Sequence, residues 1–575
     1  MITMLLFLFL SSCERDEKIV EITVRDTLFA VIVQSVDANP DSIAIGGTIT
    51  FTAQISALSN VGDINLTWKA TGGTFSSTTG DTVSWKAPEA PGTYVITVLA
   101  DDGQYSGVGT RNIGVGMYAA TADVFYVGGQ VCANCHSNPQ ANDWAETAHA
   151  HAWQTLMESG HPRPTCNKCH TVDFEEVVGN AGYDDVPTAM FEDVQCESCH
   201  GPGSQHIASP TTEGSILVSY DSETTCGTCH EGTHHPFLSE WKESAHAQAP
   251  GHATSASCTG CHEGVASAIR LSGDLSVFYG SGSTPTRPPV EEVPLSAIGC
   301  ATCHDPHNAD NPGQLRTVAD VPLTSANGES PVISEGGTGK LCMHCHHARR
   351  GPDSQIASGY GHFGPHGSPQ ADLLAGKTGF HGVADGGFEW ADASHLYVQN
   401  SCKTCHVNMI EYDGVTAVKG HTYEPTTAAC TNCHGTINEF EDIMALGDFD
   451  GNTNIEGVQL EVRGLLELIA SALIDSFTAH GITTTNWDAD SLAHEIGVVE
   501  HVIAAGDTLV VPQQWRAAGW NWIFILDDKS DGIHNPDYTV QLLQQSYRYL
   551  TGIEIQGATM VQGRNKAVAD IRLMR

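Results

Sequence analysis

The chain has 575 residues and a formal net charge of −41, from 26 Lys plus Arg against 67 Asp plus Glu. That length suits about three or four domains at roughly 100–200 residues each, and 41 % hydrophobic content excludes a wholly disordered chain. So few basic residues exclude binding to the phosphate backbone of nucleic acid and docking on anionic lipid by charge.

Residues 1–13 hold a short apolar run, Met4 to Leu10, followed by Ser11, Ser12 and Cys13. The run is too short to span a bilayer, which needs about 20 apolar residues. Leu10-Ser11-Ser12-Cys13 resembles the lipobox of bacterial lipoproteins. That resemblance implies cleavage before Cys13 and acylation of its thiol. No Lys or Arg precedes the run, unlike an ordinary signal peptide. Residues 14–27 are polar and charged and read as a tether.

Residues 28–117 contain neither Cys nor His. Alternating apolar and polar residues predict strands at Phe29–Val33, Ile49–Ala53, Ile64–Trp68, Val83–Trp85 and Tyr94–Val98, punctuated by Gly, Pro, Asn and Asp. This is the pattern of a small β-sandwich, and it resembles bacterial immunoglobulin-like repeats. The resemblance makes Trp68 a core residue and Pro91-Gly92-Thr93-Tyr94 a tyrosine corner. The inter-sheet Cys pair is absent. The expected role is a spacer.

Residues 118–440 carry the other eighteen of the nineteen cysteines, in nine copies of Cys-x-x-Cys-His. The pairs are Cys132 and Cys135, Cys166 and Cys169, Cys196 and Cys199, Cys226 and Cys229, Cys258 and Cys261, Cys300 and Cys303, Cys342 and Cys345, Cys402 and Cys405, and Cys430 and Cys433. The histidines that follow are His136, His170, His200, His230, His262, His304, His346, His406 and His434. This spacing is the attachment signature of c-type haem. Two thiols form thioethers with the porphyrin vinyl groups, and the next residue ligates the iron from below. Zinc would pair motifs into four-ligand sites, and nine is odd. Nine haems in this segment leave too little chain for an ordinary core around each. The cofactors must therefore supply much of the core, with short helices and long loops between them. There is also internal repetition. Trp144-Ala-Glu-Thr-Ala-His149-Ala and Trp241-Lys-Glu-Ser-Ala-His246-Ala each precede a motif.

Residues 441–575 lack cysteine and read as a helical C-terminal region packed on the last haems. Helical periodicity spans Ile455 to Ile482, and further helices are expected at Ser491–Ala505 and Thr539–Leu550. Asp448, Asp450, Asn452 and Glu456 alternate before a helix in the manner of a Ca²⁺ loop. Thr453 and Gln459 depart from the EF-hand, and a solvated acidic loop is the competing reading.

The haem segment resembles the multihaem c-type cytochrome superfamily over roughly 130–550. Residues 132–206 are similar to the tetrahaem cytochromes of ammonia oxidisers, through Trp144 to Ala150 and Val194 to His206. Cys303-His-Asp-Pro-His307, Cys345-His-His-Ala-Arg-Arg350, Gly361-His-Phe-Gly-Pro-His366, Gly420-His421 and Asp531-Gly-Ile-His534 resemble the nitrite-reductase and hydroxylamine-oxidoreductase branches. No Cys-x-x-Cys-Lys occurs, which weighs against ammonia-forming nitrite reduction. The resemblance favours His149, His206, His246, His307, His395, His421 and His534 as distal ligands, with His362 or His366 as the eighth. The ninth falls to His151, His235, His344 or His347. His480, His494 and His501 are weaker candidates, and His161 and His252 are not expected to ligate.

The expected function is an exported, lipid-anchored nine-haem cytochrome. It conducts electrons between an envelope partner, such as another multihaem cytochrome, and an extracellular acceptor or shuttle. Its expected place is the outer membrane, at the cell surface or on the periplasmic face. The main alternative is an oxidoreductase acting on nitrogen or sulfur oxyanions at one open haem, with Arg349, Arg350 and Lys403 holding the anion. A polymerising haem wire is the third reading.

Overall fold

The structure is a computed structural model that describes residues 31–561, apart from 40–41, 44–45, 58–61, 91, 116–123, 161, 175–180, 186, 213, 233–234, 249–255, 274–294, 413–414, 419, 485 and 504–506. Cys13, the tether at 14–27, Phe29, His161 and His252 lie outside the described residues. The chain divides into two compact units, one ending at Ser219 and the other beginning at Tyr220. The division falls between the third and fourth motifs.

Among the described residues the first unit contains eight strands: β1 (Val31–Asn39), β2 (Ser42–Ile43), β3 (Thr48–Ala57), β4 (Asn65–Ala70), β5 (Thr74–Phe75), β6 (Thr82–Lys86), β7 (Gly92–Asp101) and β8 (Ser106–Val115). They form two four-stranded sheets, ordered β1-β3-β6-β5 and β2-β8-β7-β4. The strands bury alternate residues, as a half-buried pleat must. Ile49 and Phe51 of β3, Leu66 and Trp68 of β4, and Val83 and Trp85 of β6 point into one shared core. The two indoles keep their N–H groups satisfied: Trp68 Nε1 donates to Gly80 O at 2.9 Å and Trp85 Nε1 to Gly72 O at 3.0 Å. Tyr94 Oη donates to Ala90 O at 2.9 Å, which pins the entry to β7.

Beyond the sheets, the first unit is built of short helices and loops held by buried polar side chains. Glu197, 2 % exposed, accepts the N–H groups of Val127, Gly128 and Gly203. Gln195 Oε1 accepts Gly129 N–H at 2.6 Å. These bonds fasten the segment before the first motif onto the third.

The second unit has five helices of nine residues or more among the described residues: α1 (Gly264–Ser272), α2 (Val458–Ala479), α3 (Ala489–Gly497), α4 (Gln513–Asp528) and α5 (Pro536–Thr551). Leu465, Ile469, Leu473 and Phe477 of α2 recur every fourth residue, and all are fully buried. They share a core with Trp520 and Phe524 of α4 and Leu542 and Leu543 of α5. Buried amides bind the irregular chain to this bundle. Asn521 accepts Phe380 N–H at 2.7 Å and donates to Phe380 O at 3.1 Å. Gln541 accepts Ala391 N–H at 2.7 Å.

Two features of this region depart from the sequence reading. The helix expected over Ser491–Ala505 is α3, which stops at Gly497. Beyond it Glu500–Val502 pairs with Thr508–Val510 as a hairpin. Val498, Val499, Val502 and Ile503 are β-branched and favour extended chain. Helix α4 has no counterpart among the expected elements. It buries Trp515, Ala517, Ala518, Trp520, Trp522, Ile523, Phe524 and Ile525, so it carries no clean amphipathic stripe.

One buried histidine ties α5 to a loop. Tyr538 Oη and His381 Nε2 are hydrogen-bonded at 2.9 Å, and the imidazole stacks on Trp390 at 4.4 Å. Burial, helped by Lys377, holds His381 down at about 4, against about 6.5 in an unfolded chain. The unfolded state therefore binds a proton first as pH falls. The stability that neutral His381 contributes is present above about pH 6.5 and is lost as pH drops toward about 4. Thermal melts from pH 7 to pH 4 are expected to show a falling Tm, with a shallower fall in His381→Gln.

Candidate haem centres

Each motif folds as about one helical turn. His136 N–H bonds to Cys132 O at 2.9 Å, His230 to Cys226 at 2.9 Å, His304 to Cys300 at 3.0 Å, His346 to Cys342 at 2.9 Å and His434 to Cys430 at 2.9 Å. One turn brings cysteines three apart onto the same face, with the histidine beside them. None of the eighteen motif cysteines is in a disulfide. The second cysteines of the first four motifs differ in surroundings. Cys135 is exposed, whereas Cys169, Cys199 and Cys229 are half-buried. Cys169 and Cys199 lie in one-turn helices, Asn167–His170 and Cys196–His200, and Cys229 Sγ accepts Thr228 Oγ1–H at 3.8 Å.

The proximal rings are oriented by the main chain. Nδ1–H of His170 donates to Ala152 O at 2.8 Å, His200 to Leu217 O at 2.6 Å, His304 to Gly313 O at 2.6 Å and His406 to Tyr423 O at 2.8 Å. A carbonyl only accepts, so Nδ1 carries the proton and Nε2 keeps its lone pair for a metal.

Second imidazoles face several of these rings at one recurring spacing. His136 and His206 lie 6.2 Å apart between centroids, His346 and His246 5.9 Å, and His262 and His366 6.3 Å. His434 and His395 lie 6.2 Å apart, as do His406 and His534. An iron between two imidazoles, with metal–nitrogen bonds of about 2.0 Å and about 1.2 Å from nitrogen to centroid, demands about 6.4 Å. The donor set thus fits iron ligated by two histidines. Between the His246/His346 and His262/His366 pairs lies an open pocket of about 240 Å³, lined also by Cys261, Cys345 and Arg349.

The second imidazoles have their own supports. His395 Nδ1–H donates to Ile533 O at 2.7 Å, and His206 Nδ1 lies 3.2 Å from Ser215 Oγ. Burial lowers His149, His246, His366, His395 and His421 below the usual histidine value, His246 and His421 to about 4. They are held neutral, the form that binds iron. Burial also acts to lower His534, but Asp528, 2.7 Å from its Nδ1, raises it overall. His421 interacts electrostatically with His304. Glu240, 8 % exposed, accepts the N–H groups of Gly420 and His421 at 3.0 and 3.1 Å and so holds that segment in place.

The structure brings some of the sequence candidates together and leaves others apart. His366 rather than His362 faces a proximal ring; the carbonyl of His362 takes Arg350 Nη1–H at 2.6 Å. His307 is half-exposed, with Nδ1 3.4 Å from Asp305. His235 lies 5.9 Å from His230, with Phe237 packed against both rings. The Ca²⁺ reading of the acidic loop needs correction. Asp448 and Asp450 converge with Glu461 instead of Glu456, because Glu461 is fully buried behind the loop and accepts its main-chain N–H groups. Asn452 Nδ2–H donates to Glu456 instead. Arg350 lies over the Tyr360 ring at 4.9 Å, while Lys403 is exposed.

Thiol contacts show which motifs adjoin within each unit. In the first, Cys132 meets Cys196. In the second, Cys226 meets Cys300, Cys261 meets Cys345 and Cys342 meets Cys402. Cys303 interacts electrostatically with Cys345, and Cys405 with Cys430 and Cys433. The Cys342–His346 motif therefore adjoins three others. The Trp-to-His elements share one geometry. Trp144 Nε1 donates to Val194 O at 3.1 Å and Val194 N–H returns to His149 O at 3.1 Å. Trp241 Nε1 donates to Ile298 O at 2.8 Å and Ile298 N–H returns to His246 O at 3.1 Å. Val194 and Ile298 each stand two residues before a motif.

The sequence is similar to several known proteins. Residues 131–201 match the family model "Cytochrome c554 and c-prime". The C-type polyheme cytochrome OmcB of Geobacter sulfurreducens is 24 % identical over 57 % of this chain and 44 % of its own length. Cytochrome c-554 of Nitrosomonas europaea is 32 % identical over 14 % of this chain and 40 % of its own length. The chain thus spans less than half of the length of these relatives. The crystal structure of Outer Cell Wall Cytochrome OcwA aligns over 74 % of this chain and all of its own, with a TM-score of 0.46 and 17 % identity.

Ring orientation should be visible in spectra. The His136/His206 and His406/His534 planes are 25° and 39° apart, whereas His262/His366, His246/His346 and His395/His434 are 65–71° apart. Nearly parallel rings split the iron dπ orbitals, and crossed rings leave them nearly degenerate. EPR of the oxidised protein is expected to show both rhombic and large-gmax low-spin signals. His366→Ala is expected to convert one centre to high spin, and His362→Ala none.

Proposed function

Because the chain is a multihaem c-type cytochrome, we propose that it carries nine covalently bound haems and passes electrons along them to a redox partner or an acceptor outside the cell. Both cysteines of every motif are the proposed attachment points, with Cys135, Cys169, Cys199 and Cys229 as the second thioethers of the first four. The observation that carries the reading is the paired-imidazole spacing, repeated at 5.9–6.3 Å over centres whose thiols adjoin one another. Haem c, held by two histidines, supplies a one-electron couple that changes charge without changing ligands. The protein's part is to fix where each centre sits and to set its electrostatic surroundings. Nδ1–H bonds to carbonyls lock the ligating tautomer. Burial keeps the ligands neutral and water away.

The flanking regions fit export. The strand orders β1-β3-β6-β5 and β2-β8-β7-β4 correspond to the ABED and CFG sheets of immunoglobulin domains, and Tyr94 has the bond of a tyrosine corner. We assign this domain as an immunoglobulin-like spacer on an acylated Cys13, at the outer membrane. Among the described residues no helix is long and apolar enough to cross a membrane. Other multihaem cytochromes of the envelope are the proposed partners. Calcium at the Asp448 loop is a subsidiary proposal.

The test is haem quantification with EPR and voltammetry of the purified holoprotein. Nine haems per chain, low-spin signals alone, and reversible current without added substrate are expected. A high-spin signal that shifts on adding nitrite or hydroxylamine would show an open catalytic centre and sink the conduit reading.

A further inference from the structure

Helix α1 follows directly after the Cys258–His262 motif and is buried over most of its length. Val265, Ala266, Ser267, Ala268, Arg270 and Leu271 are each at most 4 % exposed. Arg270, in its last turn, is 1 % exposed and turns back toward the motif. Its Nε–H donates to Gly260 O at 2.9 Å and its Nη2 to His344 O at 2.7 Å. The same Nη2 lies 3.3 Å from Cys345 Sγ and 3.8 Å from Cys261 Sγ. These two sulfurs belong to different motifs, the fifth and the seventh. Arg349 lines the cavity between those two centres and also interacts electrostatically with Cys261.

A chain with only 26 Lys plus Arg thus brings two of its cations to one pair of centres. Glu263 stands just before α1. It caps the other end of α1, accepting Ala266 N–H at 2.8 Å, and its second oxygen takes Ser296 N–H at 2.9 Å. A buried guanidinium keeps its charge and is screened far less than a surface one. Once the thioethers form, Cys261 and Cys345 are substituents of the two porphyrins. A positive charge beside them favours the reduced, less positive iron in both.

We propose that Arg270, with Arg349 beside it, makes the fifth and seventh centres the points where the second unit holds electrons most tightly. The Cys342–His346 motif adjoins the fifth, sixth and eighth, so the charge acts at the junction of the path. Arg270 is a positioning and tuning residue, since it touches the attachment sulfurs and not an acceptor. The inference rests on the haem reading above.

The experiment is a potentiometric titration, followed by optical and EPR spectra, of holoprotein carrying Arg270→Gln, Arg270→Lys or Arg349→Gln. Haem count and spin state test the haem reading separately. In Arg270→Gln two midpoints are expected to fall. At the potential where the wild-type pair is half reduced, its reduced-to-oxidised ratio drops roughly tenfold. Arg270→Lys keeps the charge and restores most of that ratio. Arg270→Gln with nine low-spin haems and unchanged midpoints overturns the proposal. If that variant fails to load haem, Arg349→Gln decides. A smaller downward shift of the same pair supports the proposal, and unchanged midpoints overturn it.

Discussion

A histidine that gives its Nδ1–H to a main-chain carbonyl has one lone pair left, on Nε2, and one direction in which to point it. His170, His200, His304, His395 and His406 are all fixed this way. The carbonyl partners are Ala152, Leu217, Gly313, Ile533 and Tyr423, all outside the motifs. Ligand direction is therefore set by loops, and the loops must be held rigidly for the iron positions to be held at all. That requirement explains why so few long elements suffice. A bis-histidine centre crosslinks two distant stretches of chain through the metal, as a disulfide would, and adds a large apolar ring to the interior.

Other irregular stretches around the motifs are fixed by buried polar side chains. Glu197 takes three main-chain N–H groups between the first and third motifs. Asn521 and Gln541 bind the segment around Phe380 to Ala391 onto the C-terminal helices. A buried carboxylate or amide is costly unless satisfied, and each of these is satisfied by peptide groups that would otherwise be orphaned. The C-terminal bundle consequently does more than cover the haem region. It supplies His534, the Ile533 carbonyl for His395, and the wall behind the Phe380 loop.

Much of this was legible in the sequence for a chemical reason. Covalent attachment needs two thiols three residues apart and a histidine next to them, so the motifs are local and cannot be disguised. The β-strands were legible from their alternation at Ile49–Phe51, Leu66–Trp68 and Val83–Trp85. The second imidazoles were less so, because they arrive from far along the chain. His534 faces His406, and His246 faces His346. Spacing cannot separate His366 from His362; only the turn that carries them does. Helix α4 was hidden by being apolar on all sides, and Glu461 by lying one turn inside a helix, away from the acidic loop it closes. Arg270 looked like an ordinary basic residue at a helix end.

Charge acts on this protein at two ranges. The net charge of −41 is carried mainly by exposed carboxylates. Their fields fall away within a Debye length of about 8–10 Å at ordinary ionic strength. Such a charge makes molecules of one sign repel each other. Buried charges are screened much less and act on one or two centres each. Arg270 lies against the fifth and seventh motifs, while Asp528 lies against His534 of the eighth. The first favours the reduced iron, and the second makes its imidazole a stronger donor and favours the oxidised one. On the proposal above, neighbouring centres joined at the Cys342–His346 motif would differ in their hold on an electron, whatever the surface carries. The acidic exterior governs what approaches, and a few buried side chains govern where the charge rests.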